Sequence, residues 1–464
     1  MRARVFELSR APCADELLSR LRTRRALVAL DSAAGSPCDW SIVAFDPLAH
    51  VATPQSIAGI RDAVATIRSE AGDAIPGLFH GGFLGALSYD LGIAGERGLE
   101  LPRDPWHSPL VVGGVYVDFI VRDERAHKAW LVLHDGVSDG RAPIDPRRGE
   151  IEALVASACA HPTTPQRTTP LARHTSADEH MRRVEVLRAS IAAGDLYQAN
   201  LAHRSSCTIA GDPIDLYSKL RRVNPAPYMA YLAWDEHASR EESHFPRGAL
   251  LSASPELFVE CDGRTARTRP IKGTAPRSSD ASVDRNNAEA LLASAKDRAE
   301  LAMIVDLERN DLGRVARVGT VRTTAFPQLE SYAGVHHLTA DVTAELEDGR
   351  DAIDVLAALF PGGSITGAPK VAAMRHIAKL EGEGRGFFTG ALGFVDVRGH
   401  AAWNILIRTL VWRPLDASAP DAGPQGEVSF HVGGGITWSS DAAAEERETL
   451  AKAAKLVETL ESGT

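Results

Sequence analysis

The sequence predicts an α+β fold, on three observations. "GALLSASPELFVEC" and "GRTARTRPIKGT" look like the two arms of a hairpin turning at Asp262-Gly263. Long helical patterns occupy roughly 285–310, 351–360, 369–381 and 441–461. Strands recur near 388–397, 401–413 and 427–438, so hairpins and long helices coexist without strict βαβ alternation.

Taken in order, the chain opens on short strand-like runs, "RALVALDSA" and "VVGGVYVDFIV", separated by glycine-rich turns. "GGFLGALSYDLG", 81–92, reads as a strand flanked by close-packed glycines. "HPTTPQRTTP", His161 to Pro170, is rich in Pro and Thr and reads as a linker. It divides the chain into regions 1–165 and 171–464. Ser176 and Glu179 then form a capping-box signature. Val184, Leu187 and Ile191 follow at helical spacing, and Gly194 offers a stop. "YQANLAHRSSCTIA" reads as a strand. "FPGGSITGAPKVAAMRHIAKL", 360–380, is a glycine-rich loop entering a helix, with Pro369 suited to its first turn. "VGGGITW", 432–438, places three glycines after a strand. No internal repeat is visible.

Composition excludes several classes. Of 464 residues, 51 are basic and 61 acidic, a net charge of −10, which argues against a nucleic-acid binder. Hydrophobic residues make up 44%, enough for a sizeable core. The five cysteines (Cys13, Cys38, Cys159, Cys207, Cys261) are scattered and none is CxxC-spaced, so neither a disulfide framework nor a zinc site is expected. "MRARVFELSRAPC" lacks the apolar core of a signal peptide, and no run reaches transmembrane length. The expectation is a soluble cytoplasmic protein.

Several residues could carry chemistry, each with a plainer alternative. Lys272 sits in "RPIKGTAPR", a turn bounded by prolines that a solvent lysine does not need and a reactive amine could use. Asp297 with Glu300, and Glu445 with Glu448, stand at i, i+3, so each pair shares a helical face. Oxygen-only ligands of this kind point to Mg²⁺; a solvated helix face is the alternative. On the last helix Glu445, Glu448 and Lys452 form one stripe, and Leu450, Val457 and Leu460 a separate apolar one. The 360–380 loop offers backbone N–H groups to an anion, or is a structural turn. Arg408, within the apolar strand "NILIRTL", must be paired or must reach a ligand. His337, beside His336, is a site histidine or a hydrogen-bonded core one. Glu256, on a strand with Leu257 and Phe258, could be a general acid with a raised pKa, or an edge-strand glutamate.

Together "SASPELF", "RPIKGT", "DRAELAMIVDLERNDLGRV", "SYAGVHHL", "FPGGSITGAPKVAAM", "GALGF", "NILIRTL" and "GGGI…EERETLAKA" resemble the chorismate-utilising enzymes. That family includes the large subunits of anthranilate and aminodeoxychorismate synthases, and the isochorismate and salicylate synthases. The resemblance covers most of the chain and is strongest from about 176 to 458. It implies two mainly antiparallel sheets packed together with helices on the outside. "PIKGT" with Lys272, and Asn200 in "GDLYQANLAHR", resemble the aminodeoxychorismate synthase component I subgroup; anthranilate synthases resemble P-I-A-G-T.

The resemblance assigns roles residue by residue. Lys272 would be a covalent nucleophile, its pKa depressed by burial or by cations such as Arg269 and Arg277. Glu256 would be the general acid, and His337 would orient or polarise the ring substituents. Asp297, Glu300, Glu445 and Glu448 would hold Mg²⁺, although the family usually has glutamate where Asp297 stands. Asn200, Ser364, Arg408, Lys452 and the backbone of Gly433, Gly434 and Gly435 would line the chorismate site. Phe388 stands where several members carry tyrosine. The implied reaction is chorismate plus ammonia to 4-amino-4-deoxychorismate, with ammonia from a glutamine amidotransferase subunit, and no fused lyase follows the last helix. Anthranilate synthase component I, the related 2-amino-2-deoxyisochorismate synthases and a non-catalytic chorismate- or tryptophan-binding homologue are the alternatives. In the family the N-terminal half can hold tryptophan, and "VALDSA" at 28–33 and "NPAPYMAYL" at 224–232 resemble the segments around that pocket.

Overall fold

"VVGGVYVDFIV", one apolar run in the sequence, is two strands in the structure. Val111–Tyr116 joins one sheet and Phe119–Asp123 another. The computed structural model describes every residue except 34–38, 53–55, 68–71, 95, 97, 101, 103, 137–139, 159–163, 236, 239–243, 246, 333, 416–423 and 462–464. Cys38, Cys159 and the start of the 161–170 linker therefore lie outside the described residues.

Antiparallel pairings build a 13-stranded and a 10-stranded sheet. Both contain strands from either side of residues 161–170. Between them lies one apolar layer, in which Leu84, Val112 and Phe394 of the smaller sheet meet Phe119, Ala230 and Leu250 of the larger. Phe79 packs edge-on to Phe119 and Phe394, with centroids at 5.0 and 5.5 Å. The outer face of the larger sheet is covered by Ala14–Arg20, Ile144–Ala156, Pro213–Val223 and Ala442–Leu460. Ala58–Ala65, Ala295–Gly313 and Ala352–Leu359 cover the smaller. The order is helices, sheet, sheet, helices, each amphipathic face buried against the next layer. Among the described residues no helix is long and apolar enough to cross a membrane.

Two further crossings between the sheets position the site. Gly248–Ser254 belongs to the larger sheet and Leu257–Asp262 to the smaller, so the chain passes between them at Pro255-Glu256. Ala401–Ile405 and Thr409–Pro414 cross the other way at 406–408. The crossings run side by side: Ser252 pairs with Thr409, and Leu257 with Asn404. Ser254 Oγ donates to the Ile405 carbonyl at 2.6 Å, Ile405 N to Glu256 O at 3.1 Å and Ala253 N to Arg408 O at 3.0 Å. The hairpin at Asp262-Gly263 is present, with Asp262 opposite Thr265.

Several elements differ from expectation. The helix expected over 285–310 is two, Ala281–Ala293 and Ala295–Gly313, because Ser294 caps the second by accepting from Asp297 N at 3.2 Å. Ser176 accepts from Glu179 N, but the Glu179 carboxylate reaches Arg183 instead of closing the capping box. Pro369 is the N-cap residue of Lys370–Glu381 rather than part of its first turn. Leu450 is 50% exposed; the buried face of the last helix is Thr449, Ala453, Leu456 and Leu460.

Candidate active site

Ser364 is where the candidate residues meet. "FPGGSITGAP" folds into one helical turn, Gly363–Thr366, followed by Gly367 at φ +136. A Cβ at Gly367 would stand 2.1 Å from the Gln198 carbonyl, so only glycine permits this approach. Ser364, 4% exposed, donates its Oγ to Glu256 Oε1 at 2.7 Å. Its carbonyl accepts from Lys272 Nζ at 3.0 Å and from Asn200 Nδ2 at 2.7 Å. Three segments distant in sequence are thus tied by one residue.

Lys272 lies on the strand Ile271–Pro276. The pairing of that strand with Val335–Glu345 slips between Lys272 and Thr274, with Gly273 at φ +75. Such a bulge re-aims a side chain. Burial pushes the Lys272 amine below its ordinary pKa; Glu256, Glu300 and Glu448 oppose this, and Lys452 adds to it. Arg269 and Arg277 do not contribute: Arg269 is paired with Asp341 at 2.6 Å and Glu330 at 2.7 Å, and Arg277 with Asp284 at 2.9 Å. Glu256 sits at the sheet crossing, not on the strand. Burial raises its pKa, partly offset by the Ser364 hydrogen bond and the Lys272 charge. Burial thus shifts both groups towards their neutral forms, against their mutual attraction as ions.

Arg408 is at the other crossing, at φ +52, not inside a strand. Burial lowers its pKa, and it has no carboxylate partner among the described residues, which leaves a guanidinium free for an anion. His337, 2% exposed, lies 3.2 Å by Nδ1 from Thr274 Oγ1 and has no partner at Nε2. Burial, then the Arg408 charge, lowers it to about 4, so its ring is neutral. Gly433, Gly434 and Gly435 lie within the strand Gln425–Ile436 rather than after it, opposite Ala202, Leu201 and Asn200. Lys452 Nζ donates to Gly433 O at 3.1 Å and pairs with Glu448 at 2.7 Å. Phe388 stacks on His431 at 5.0 Å in the turn before Ala391–Asp396.

The four carboxylates occupy two helix starts. Glu300 is raised by burial and by Asp297 and Glu445; Glu445, 4% exposed, is raised by burial and by Glu448 while accepting from Ser440 Oγ at 2.7 Å. Burial would raise Glu448 too, but Lys452, Lys296 and Lys272 outweigh it and its pKa is lowered. Asp297 is engaged by the Ser294 hydroxyl. Among the described residues no three His, Cys, Asp or Glu side chains converge in ligand range. The donors are oxygen-only and Glu300 and Glu445 feel neighbouring carboxylates, which is the ligand type of a hard divalent cation.

Three residues escaped the sequence reading. Gln198 is fully buried with both amide atoms unpartnered, beside Gly435, where a Cβ would come within 2.7 Å of its nitrogen. Glu308, pushed to about 8 chiefly by burial, accepts from the Thr268 hydroxyl and lies within the electrostatic reach of Glu256. Arg385 is buried in the "GRGFF" turn. A polar residue in a strand or helix run gives no pattern of its own; only the unpaired burial of Gln198 marks it. The segments at 28–33 and 224–232 are adjacent, with Met229 paired to Asp31, whose carboxylate accepts from Arg221 at 2.6 Å and Tyr217 at 3.0 Å.

Residues 26–458 match the family model described as chorismate binding enzyme. The chain is 33% identical over 461 residues to aminodeoxychorismate synthase component 1 of Bacillus subtilis, covering 95% of this chain and 93% of the relative. It is 35% identical over 438 residues to anthranilate synthase component 1 of Streptomyces coelicolor, covering 90% and 80%. Among solved structures it is similar to anthranilate synthase component I from Streptococcus pneumoniae, with a TM-score of 0.73, 28% identity, and coverage of 90% and 92%.

Proposed function

The chain belongs to the chorismate-binding enzyme family, and from that premise we propose that it aminates chorismate at C4, as component I of an aminodeoxychorismate synthase. The observation that carries this reading is the convergence of Lys272 and Glu256 on Ser364, with burial favouring the neutral form of each. Direct replacement of the C4 hydroxyl is a hard displacement, and two easier steps can replace it. The Lys272 lone pair forms a bond to C2, both ring double bonds shift (C1=C2 to C1=C6 and C5=C6 to C4=C5) and the C4–O bond breaks. Glu256 gives its proton to the departing oxygen, which leaves as water. Ammonia then bonds to C4, the C2–N bond breaks and Lys272 departs as an amine, while the Glu256 carboxylate takes the proton ammonia sheds.

Arg408 and Lys452, with the Gly433–Gly435 backbone, supply positive charge and N–H groups for the substrate's carboxylates. His337, neutral, can donate or accept at the ring substituents. Asp297, Glu300, Glu445 and Glu448 would hold Mg²⁺, which when bound neutralises the substrate's ring carboxylate. A glutamine amidotransferase partner would supply the ammonia; the names of the relatives, component 1, support a second component.

The test is an assay with chorismate, Mg²⁺ and ammonium, the product trapped as 4-aminobenzoate by added aminodeoxychorismate lyase. Aminodeoxychorismate is expected; anthranilate would sink the reading. Without ammonia, intact-mass measurement should show a chorismate-derived mass gain in the wild type and none in Lys272→Ala.

A further inference from the structure

Arg385 makes more contacts around the site than any role above requires. It is 3% exposed and its guanidinium is fully engaged. Nε and Nη2 donate to the Glu381 carboxylate at 2.8 and 2.6 Å. Nη2 also donates to the Asn200 carbonyl at 2.9 Å, and Nη1 to the Ile365 carbonyl at 3.3 Å and to Thr389 Oγ1 at 3.2 Å. Glu381 in turn accepts from Ala202 N at 2.9 Å. One ion pair therefore clamps the strand at 200–202 to the loop at 365.

Those two segments carry the Asn200 amide and the Ser364 carbonyl that accepts from it, and the same carbonyl accepts from Lys272 Nζ. The clamp is itself fixed from the N-terminal region. Asp90 accepts from Arg385 N at 3.3 Å and Gly386 N at 3.1 Å, Ser88 Oγ donates to the Gly386 carbonyl at 2.7 Å, and the guanidinium lies 4.9 Å from the Tyr89 ring centroid. The planar guanidinium, with five N–H donors in a fixed fork, serves a carboxylate and two separated carbonyls at once.

We propose that Arg385, held by Glu381, is a positioning residue: it sets the Ser364 carbonyl that aims the Lys272 amine at its target carbon. The inference rests on the amination reading for what the amine attacks, not for where the amine is held. Arg385→Lys keeps a charge beside Glu381 but cannot span both carbonyls. Arg385→Met with Glu381→Gln removes both charges, so no buried charge is left unpaired. Both variants should fold and should lose about tenfold or more in kcat, since a small misplacement of a reacting group is costly. KM for chorismate should change by less than about twofold, because the substrate's anion contacts remain.

A second readout needs no turnover. The rate of Lys272 carbamylation by cyanate, followed by peptide mass, should rise several-fold in both variants, with Lys219 and Lys455 as unchanged references. Wild-type kcat together with a wild-type carbamylation rate in either variant overturns the proposal. Anthranilate from the wild type overturns the amination reading alone, and the carbamylation rates still decide the role of Arg385.

Discussion

At neutral pH the buried imidazoles of His337 and His203 are uncharged, each lowered to about 4. Burial is the first cause for both; Arg408 adds to it at His337, and Arg173 and His180 at His203. Their folded pKa lies below the unfolded value near 6.5, so the unfolded chain binds protons first as pH falls. Their stability contribution is complete above about pH 6.5 and is lost between there and about pH 4, on the order of 3 kcal/mol for each. The urea midpoint should therefore drop between pH 7.5 and 4.5, and drop less in His203→Gln. An equal drop in the variant would remove His203 from the account. At this scale the sequence was informative where a residue sits in a short signature, as Lys272 and Glu256 do. It was silent on Gln198 and Arg385, whose importance lies in partners more than 100 residues away or in having none.

Elements explain why the signatures work. The Gly363–Thr366 turn presents a hydroxyl to the acid and a carbonyl to the amine from a single residue, Ser364. That hydroxyl stabilises the Glu256 carboxylate against the upward push of burial. Ser364→Ala keeps the carbonyl and removes the hydroxyl, so the Glu256 pKa should rise further. Chemistry needs Glu256 protonated, so the pH–kcat profile of the variant should move to higher pH. The limbs belong to the coupled pair, which makes a comparison of variant and wild type the informative measurement. An unmoved profile would show that the hydroxyl does not act on the acid. The loop was legible as glycine-rich, but its geometry was not, because it depends on a contact with the Gln198 carbonyl made across the fold. Arg408 and Glu256 were misplaced onto strands for a related reason. Apolar runs on both sides of a sheet crossing read as one strand when periodicity is the only guide.

The whole molecule constrains what can fold alone. The Pro- and Thr-rich segment at 161–170 reads as a boundary, yet both sheets draw strands from either side of it. Gly82–Leu87 pairs along its length with Ala391–Asp396, and Val28–Asp31 with Tyr228–Trp234. Phe83, Leu84, Val112, Phe119 and Val121 of the first region are buried against the second. At about 1.5–3 kcal/mol for each large side chain, their loss is comparable to the 5–15 kcal/mol of a typical net stability. Removing the first region would also release Gly386 from Ser88 and Asp90, and with it the turn that carries Arg385. Residues 171–464 expressed alone should therefore aggregate or show no cooperative thermal transition by circular dichroism. Co-expression with residues 1–165 should restore a soluble complex that turns over chorismate. A monomeric 171–464 fragment that melts cooperatively would show that the larger sheet closes without the first five strands of its edge, and that the segment at 161–170 separates two folding units.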